Sequence, residues 1–108
     1  MEKLELPQGT LDLLVLQVLS SGEMHGWGIA QKLTVLSEQA LQLQEGTLYP
    51  ALYRMEAKGW IASEWAQSDN NRRAKYYSLT KLGRKRLADE KESWDRLAAV
   101  VAAVIKQA

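Results

Sequence analysis

Cysteine is absent from the 108 residues, which excludes a disulfide framework and any thiol chemistry. Histidine occurs once, at His25, so neither a histidine-rich metal site nor a base–nucleophile couple has the residues it needs. A lone histidine near a helix start more often caps or packs than ligates. No glycine-rich phosphate loop is present, and the carboxylates are scattered without an evident pair. The expectation is a chain that is not an enzyme and holds no cofactor or metal. Long apolar runs are missing as well: no stretch approaches the roughly 20 residues that span a bilayer. The start, M-E-K-L-E-L-P, lacks the long apolar core of a secretory leader. A soluble, cytoplasmic protein without a membrane partner is expected.

The net charge of +1 conceals an uneven distribution. Residues 1–71 carry nine acids and four bases, whereas residues 72–86 carry seven bases and no acid. Those bases are Arg72, Arg73, Lys75, Lys81, Arg84, Lys85 and Arg86. A local positive field on an otherwise neutral chain favours one polyanionic surface over general adhesion.

An apolar content of 46% over this length is that of one globular unit, and periodicity divides it into elements. The spacing predicts a first helix over 9–19, with Thr10 as a cap. Leu11, Leu14, Val15 and Val18 form one apolar stripe, and Leu13 and Leu16 lie roughly opposite. A helix apolar on both sides is buried on both sides, and Leu13 and Leu16 are expected to meet a second subunit. A second helix over 25–37 places Ile29, Leu33 and Leu36 inward. Gly26 and Gly28 weaken its start by up to ~1 kcal/mol each relative to alanine, which points to a close approach, either to the third helix or to phosphate.

The most informative stretch is Glu45 to Ile61, E-G-T-L-Y-P-A-L-Y-R-M-E-A-K-G-W-I. Leu48, Leu52 and Met55 recur at the spacing of one buried helical face. Tyr49, Pro50, Tyr53, Arg54 and Ala57 fall on the opposite face. Gly46-Thr47 is expected to open this helix, with Pro50 in its first turn, and Gly59 to close it. Two strands follow over 60–66 and 74–79, joined by the turn cluster Gln67-Ser68-Asp69-Asn70-Asn71. Tyr76 and Tyr77 then point to opposite faces, with Tyr77 inward beside Leu79. The hairpin carries Arg72, Arg73 and Lys75 near its tip. An exposed aromatic helix face next to a basic hairpin reads as the recognition helix and wing of a DNA-binding winged helix.

Groove contact is expected from Tyr49, Tyr53 and Arg54, since arginine pairs bidentately with guanine and tyrosine reaches phosphate or a thymine methyl. Thr47, at the helix start, sits where the dipole favours phosphate. Arg72, Arg73 and Lys75 are expected to hold flanking phosphates.

Thr80 caps a last helix extending to Lys106, ~40 Å long at 1.5 Å per residue, more than a unit of this size covers with its own core. Trp94, Leu97, Val101 and Val104 recur at the steps of a helix–helix seam. A homodimer is expected. Fold class is therefore mainly α with a small β-hairpin, a winged helix-turn-helix over 1–79 followed by a dimerisation helix over 80–108.

The chain resembles the PadR family of bacterial transcriptional regulators. The matching residues are Gly46-Thr47-Leu48-Tyr49-Pro50-Ala51-Leu52, Arg54-Met55-Glu56 and Gly59-Trp60-Ile61. His25-Gly26-Trp27 and the run Arg73-Ala74-Lys75-Tyr76-Tyr77-Ser78-Leu79-Thr80 match as well. The resemblance implies a homodimeric repressor that binds an inverted-repeat, double-stranded operator and is released by a small molecule. A single terminal helix places it with the short branch of that family. Trp27 stands where the family commonly has tyrosine, and Asn71-Arg72-Arg73-Ala74 where glycine and proline are frequent. Some members bind planar drugs or phenolic compounds at the dimer interface, and paired Trp94 indoles can sandwich a flat aromatic effector. Trp94 filling the interface without a ligand is the other reading. A winged helix serving as an assembly module without sequence-specific DNA readout is the competing function.

Overall fold

In a computed structural model the described residues are 6–107; residues 1–5, within the segment read for a leader, and Ala108 lie outside them. The order is α1 (Gln8–Leu19), β1 (Met24–His25), α2 (Gly26–Leu36), α3 (Glu45–Ala57), β2 (Ile61–Gln67), β3 (Arg73–Leu79) and α4 (Lys81–Gln107). Helices thus enclose a small three-stranded antiparallel sheet in the order β1-β3-β2. This is the winged-helix arrangement with a long terminal helix.

The sequence predicts only a hairpin; the third strand is a two-residue pairing of Met24 with Tyr77 and His25 with Tyr76. So short a strand has no period to read. α1 starts at Gln8 after Pro7, one residue earlier than expected, and Thr10 lies inside the first turn instead of capping it. Its two apolar sides are both covered, but by its own chain. Leu16 is 0% exposed and Leu13 is buried in the same core as Leu11, Val15 and Val18. Leu13 and Leu16 are therefore core residues, and the expectation that they meet a second subunit is corrected. Packing of α2, α3, β3 and α4 around α1 supplies the second covered side.

α2 buries Ile29 and Leu33 as expected, whereas Leu36, its last residue, is 64% exposed. The turn that follows places Glu38 and Gln39 at φ of 53° and 73°, and Ser37 Oγ accepts from the Leu41 amide at 2.9 Å. α3 buries Leu48, Ala51, Leu52 and Met55. It begins at Glu45, with Gln44 in the N-cap position but making no side-chain cap bond, so Pro50 is its sixth residue and lies beyond the first turn. The end follows the expectation: Gly59 takes φ 80°, its amide donates to Glu56 O and the Trp60 amide donates to Met55 O. That pair of bonds closes the helix in a Schellman motif.

α4 docks only by its first turns, through buried Gly83 and Leu87. Thr80 caps it, its hydroxyl accepting from the Gly83 amide at 3.0 Å and donating to the Gly59 carbonyl at 2.6 Å. From Ala88 onward no described residue of α4 is buried, so the helix projects from its own unit instead of folding back on it.

Candidate nucleic-acid interface

The buried stripe of α3 leaves Thr47, Tyr49, Pro50, Tyr53 and Ala57 at the surface. Tyr53 is 76% exposed and points away from the core. Tyr49 is half-covered because its ring rests on Gly26; a Cβ on that glycine would lie 2.6 Å from the ring. The close approach expected at the start of α2 is thus to α3 at Gly26, whereas at Gly28 it is to the side chains of Met24 and His25 just before the helix. The Thr47 amide is already used by the Gln44 carbonyl at 3.0 Å, so its hydroxyl is the group left to offer.

Arg54 differs from the expectation. Its Nη1 and Nη2 donate to Oδ2 and Oδ1 of Asp12, both at 2.8 Å. Hydrogen bonding to Asp12 holds the guanidinium more firmly protonated than usual, against the opposing effect of burial. Asp12 takes one N–H from each terminal nitrogen, so the forward pair of donors that would meet a guanine edge end-on is already engaged and Arg54 is held against α1. Periodicity places it on the outer arc correctly; its partner, 42 residues away, leaves no local signal.

The wing turns through Asn71, which takes φ 63° and so supplies the left-handed residue usually provided by glycine. Ser68 and Arg72 close the turn through an amide–carbonyl bond of 2.7 Å. Antiparallel pairing sets Ile61 opposite Leu79, Ser63 opposite Tyr77 and Trp65 opposite Lys75, so these share the sheet face turned toward α3. Tyr77 is buried as expected, and that burial pushes its phenol pKa up, with nearby Glu56 adding to the effect. Further out, Ser63 Oγ donates to Glu56 Oε2 at 2.6 Å and Lys75 Nζ lies 3.5 Å from Glu56 Oε1. Lys75 is therefore partly neutralised against α3 and is no equal of Arg72 and Arg73, which form no ion pair among the described residues. Arg73 lies 5.6 Å from the centre of the exposed Trp65 ring.

Between wing and helices opens a cleft of about 700 Å³, bordered by Trp27, Tyr49, Trp65, Arg72 and Arg73. Sequence reasoning misses the exposed indoles of Trp27 and Trp65 on this surface. Strand alternation from Ile61 through Ser63 to Trp65 is the available signal for one of them. His25 proves to be a cap: its Nδ1 accepts from the Gly28 amide at 2.9 Å, and its ring packs against Trp27 and Tyr76. No group of three or more potential metal ligands occurs among the described residues.

On α4, Trp94, Leu97, Val101 and Val104 are all exposed, with Trp94 at 47%. Val100 and Ile105 widen the same apolar surface.

A three-helix core, a recognition helix with an aromatic outer face and a basic wing define a winged helix-turn-helix regulator. Residues 15–89 match the Transcriptional regulator PadR-like family. The chain is 32% identical over 97 residues to Transcriptional regulator Rv3488 of Mycobacterium tuberculosis, covering 90% of this chain and 87% of that protein. Among solved structures, a PadR-like transcriptional regulator from Bacillus cereus superposes with a TM-score of 0.79 at 28% identity, over 91% of this chain and 93% of the other. A PadR family transcription regulator from Clostridium difficile does so with a TM-score of 0.76 at 34% identity, over 88% and 97%. The chain belongs to the PadR family: it is a transcriptional regulator, not an enzyme. No helix among the described residues is long and apolar enough to cross a membrane.

Proposed function

We propose that this regulator is a homodimeric repressor that binds an inverted-repeat operator, placing one α3 in the major groove of each half-site with the wing beside it. The observation that carries the reading is the juxtaposition, across one cleft, of exposed Tyr49 with the cations Arg72 and Arg73. Tyr53 and Thr47 extend the helix face, and Arg72 and Arg73 supply the phosphate grip, with a smaller share from Lys75.

The apolar stripe of α4 supports the dimer. Trp94, Leu97, Val101 and Val104 are exposed together on a helix that has left its own core, and a patch of that kind needs a partner. A second copy supplies the same stripe in a two-fold seam, and operator symmetry then follows protein symmetry. On this arrangement residues 80–108 act as the dimerisation helix of the unit formed by 1–79. A flat aromatic effector held between paired Trp94 indoles fits the same seam.

The test is selection from a pool of randomised duplexes, with the bound stoichiometry measured by ultracentrifugation. Enrichment of a two-fold symmetric sequence carrying two chains is expected. Enrichment of nothing, with a dimer still present, would favour an assembly module instead.

A further inference from the structure

We propose that Asp12 and Arg54 are positioning residues for DNA recognition, a paired strut that sets the angle of α3 against α1 and α4 without either side chain touching DNA. The proposal rests on the DNA reading above. Asp12 is the one buried charged or polar residue among the described residues, at 6% exposed. The Arg54 side chain is 26% exposed, and each of its terminal nitrogens donates one hydrogen bond to Asp12. The pair joins α1 to the last turn of α3, directly beside the exposed Tyr53.

The rest of the α1–α3 contact is aliphatic. Leu16, Val15, Leu52 and Met55 are fully covered, but apolar packing has no direction and tolerates small slides and rotations. Two parallel N–H···O bonds fix both distance and plane. Buried ion pairs add little net stability over an apolar pair of similar volume, and fixing register is their best-attested use. α1 also packs against α4. The orientation of the recognition face relative to the helix that would link two copies therefore runs through α1, and the Asp12–Arg54 pair is its only polar tie to α3 among the described residues.

The test compares Asp12→Asn, Arg54→Gln, the double variant and the apolar pair Asp12→Leu/Arg54→Met, each for melting temperature and for preference of operator over random duplex. Each single change is expected to lower that preference by roughly 2- to 30-fold, the range for residues that act on binding without touching the ligand. The double variant should be no worse than the poorer single, as for two halves of one interaction. The apolar pair should melt near wild type yet keep the lowered preference, a result that a merely structural role would not produce.

Asp12→Asn that leaves DNA binding intact or tightens it, while Arg54→Gln weakens it, would overturn the proposal in favour of direct readout by Arg54. Full recovery of preference in the apolar pair would overturn it in favour of stability alone. Amide exchange across residues 45–57, measured without DNA, should be faster in Asp12→Asn than in wild type, and unchanged exchange would also overturn it. A wild-type chain with no preference for any duplex would sink the DNA reading, while the exchange measurement still decides whether the pair orients α3.

Discussion

The ring of Tyr49 rests on the backbone of Gly26, close enough that a single methyl group on the glycine would meet Cε1 at 2.6 Å and the hydroxyl at 2.9 Å. One contact thus accounts for a helix-weakening residue at the start of α2 and for the half-covered state of a tyrosine on the recognition face. Two elements that share no hydrogen-bonded ladder are set side by side by the absence of a Cβ.

Gly26→Ala therefore discriminates between packing and function. The clash is with a movable ring edge, and alanine gains up to ~1 kcal/mol of helix propensity, so the fold should survive. Tyr49 should be displaced, and if it makes a base contact, operator affinity should fall by about 1–3 kcal/mol. Fluorescence anisotropy with labelled operator measures the loss, and circular dichroism checks the fold. Unchanged affinity would remove the placement of Tyr49 from the DNA surface.

Gly83→Ala has the opposite character. A Cβ there would lie 1.9 Å from the Trp60 carbonyl oxygen, which is backbone and cannot swing aside. Overpacking of this kind costs about 1–3 kcal/mol or more, and a lower urea midpoint should show it. Thr80→Ala should cost ~1 kcal/mol by loss of the cap, and Thr80→Ser should restore most of it. A wild-type midpoint in Gly83→Ala would mean that α4 docks differently.

For the wing, Arg72→Ala with Arg73→Ala should weaken all duplexes alike and flatten the salt dependence by roughly 0.9 log units for each phosphate no longer neutralised. Lys75→Ala should change the slope less, because Glu56 already shares its charge. Equal slopes for all three residues would return Lys75 to the phosphate set.

On α4, Val101→Asp or Leu97→Asp should yield monomers, since a charge in an apolar seam is expensive unless paired. Operator affinity should collapse once the second half-site is no longer linked to the first. Trp94→Ala should keep the dimer while abolishing quenching of tryptophan emission by flat aromatic compounds. Quenching and DNA release that persist in Trp94→Ala would place such a ligand elsewhere, and a stable wild-type monomer at micromolar concentration would sink the seam.

Much of the architecture is legible along the chain because it is written in short-range terms. The spacing of Leu48, Leu52 and Met55 marks the buried face of α3, Gly59 marks its end, Thr80 caps α4, and strand alternation turns Tyr77 inward. The absence of cysteine, the single histidine and the block of bases over 72–86 narrow the chemistry before any tertiary neighbour is known. Each depends on residues within a turn or a strand of one another, where backbone geometry alone decides neighbours.

What only the tertiary structure decided involves partners far apart in sequence. Arg54 sits on the outer arc of its helix, but Asp12, arriving on α1, accepts one hydrogen bond from each of its terminal nitrogens. Leu13 and Leu16 are rightly read as covered, yet which surface covers them depends on four elements packed around α1, not on a second copy. Lys75 alternates onto the same face as Tyr77 and Leu79 and there meets Glu56. Periodicity states which side of an element faces inward; it carries no information about what waits on the other side, because that is set by the summed packing of the whole chain.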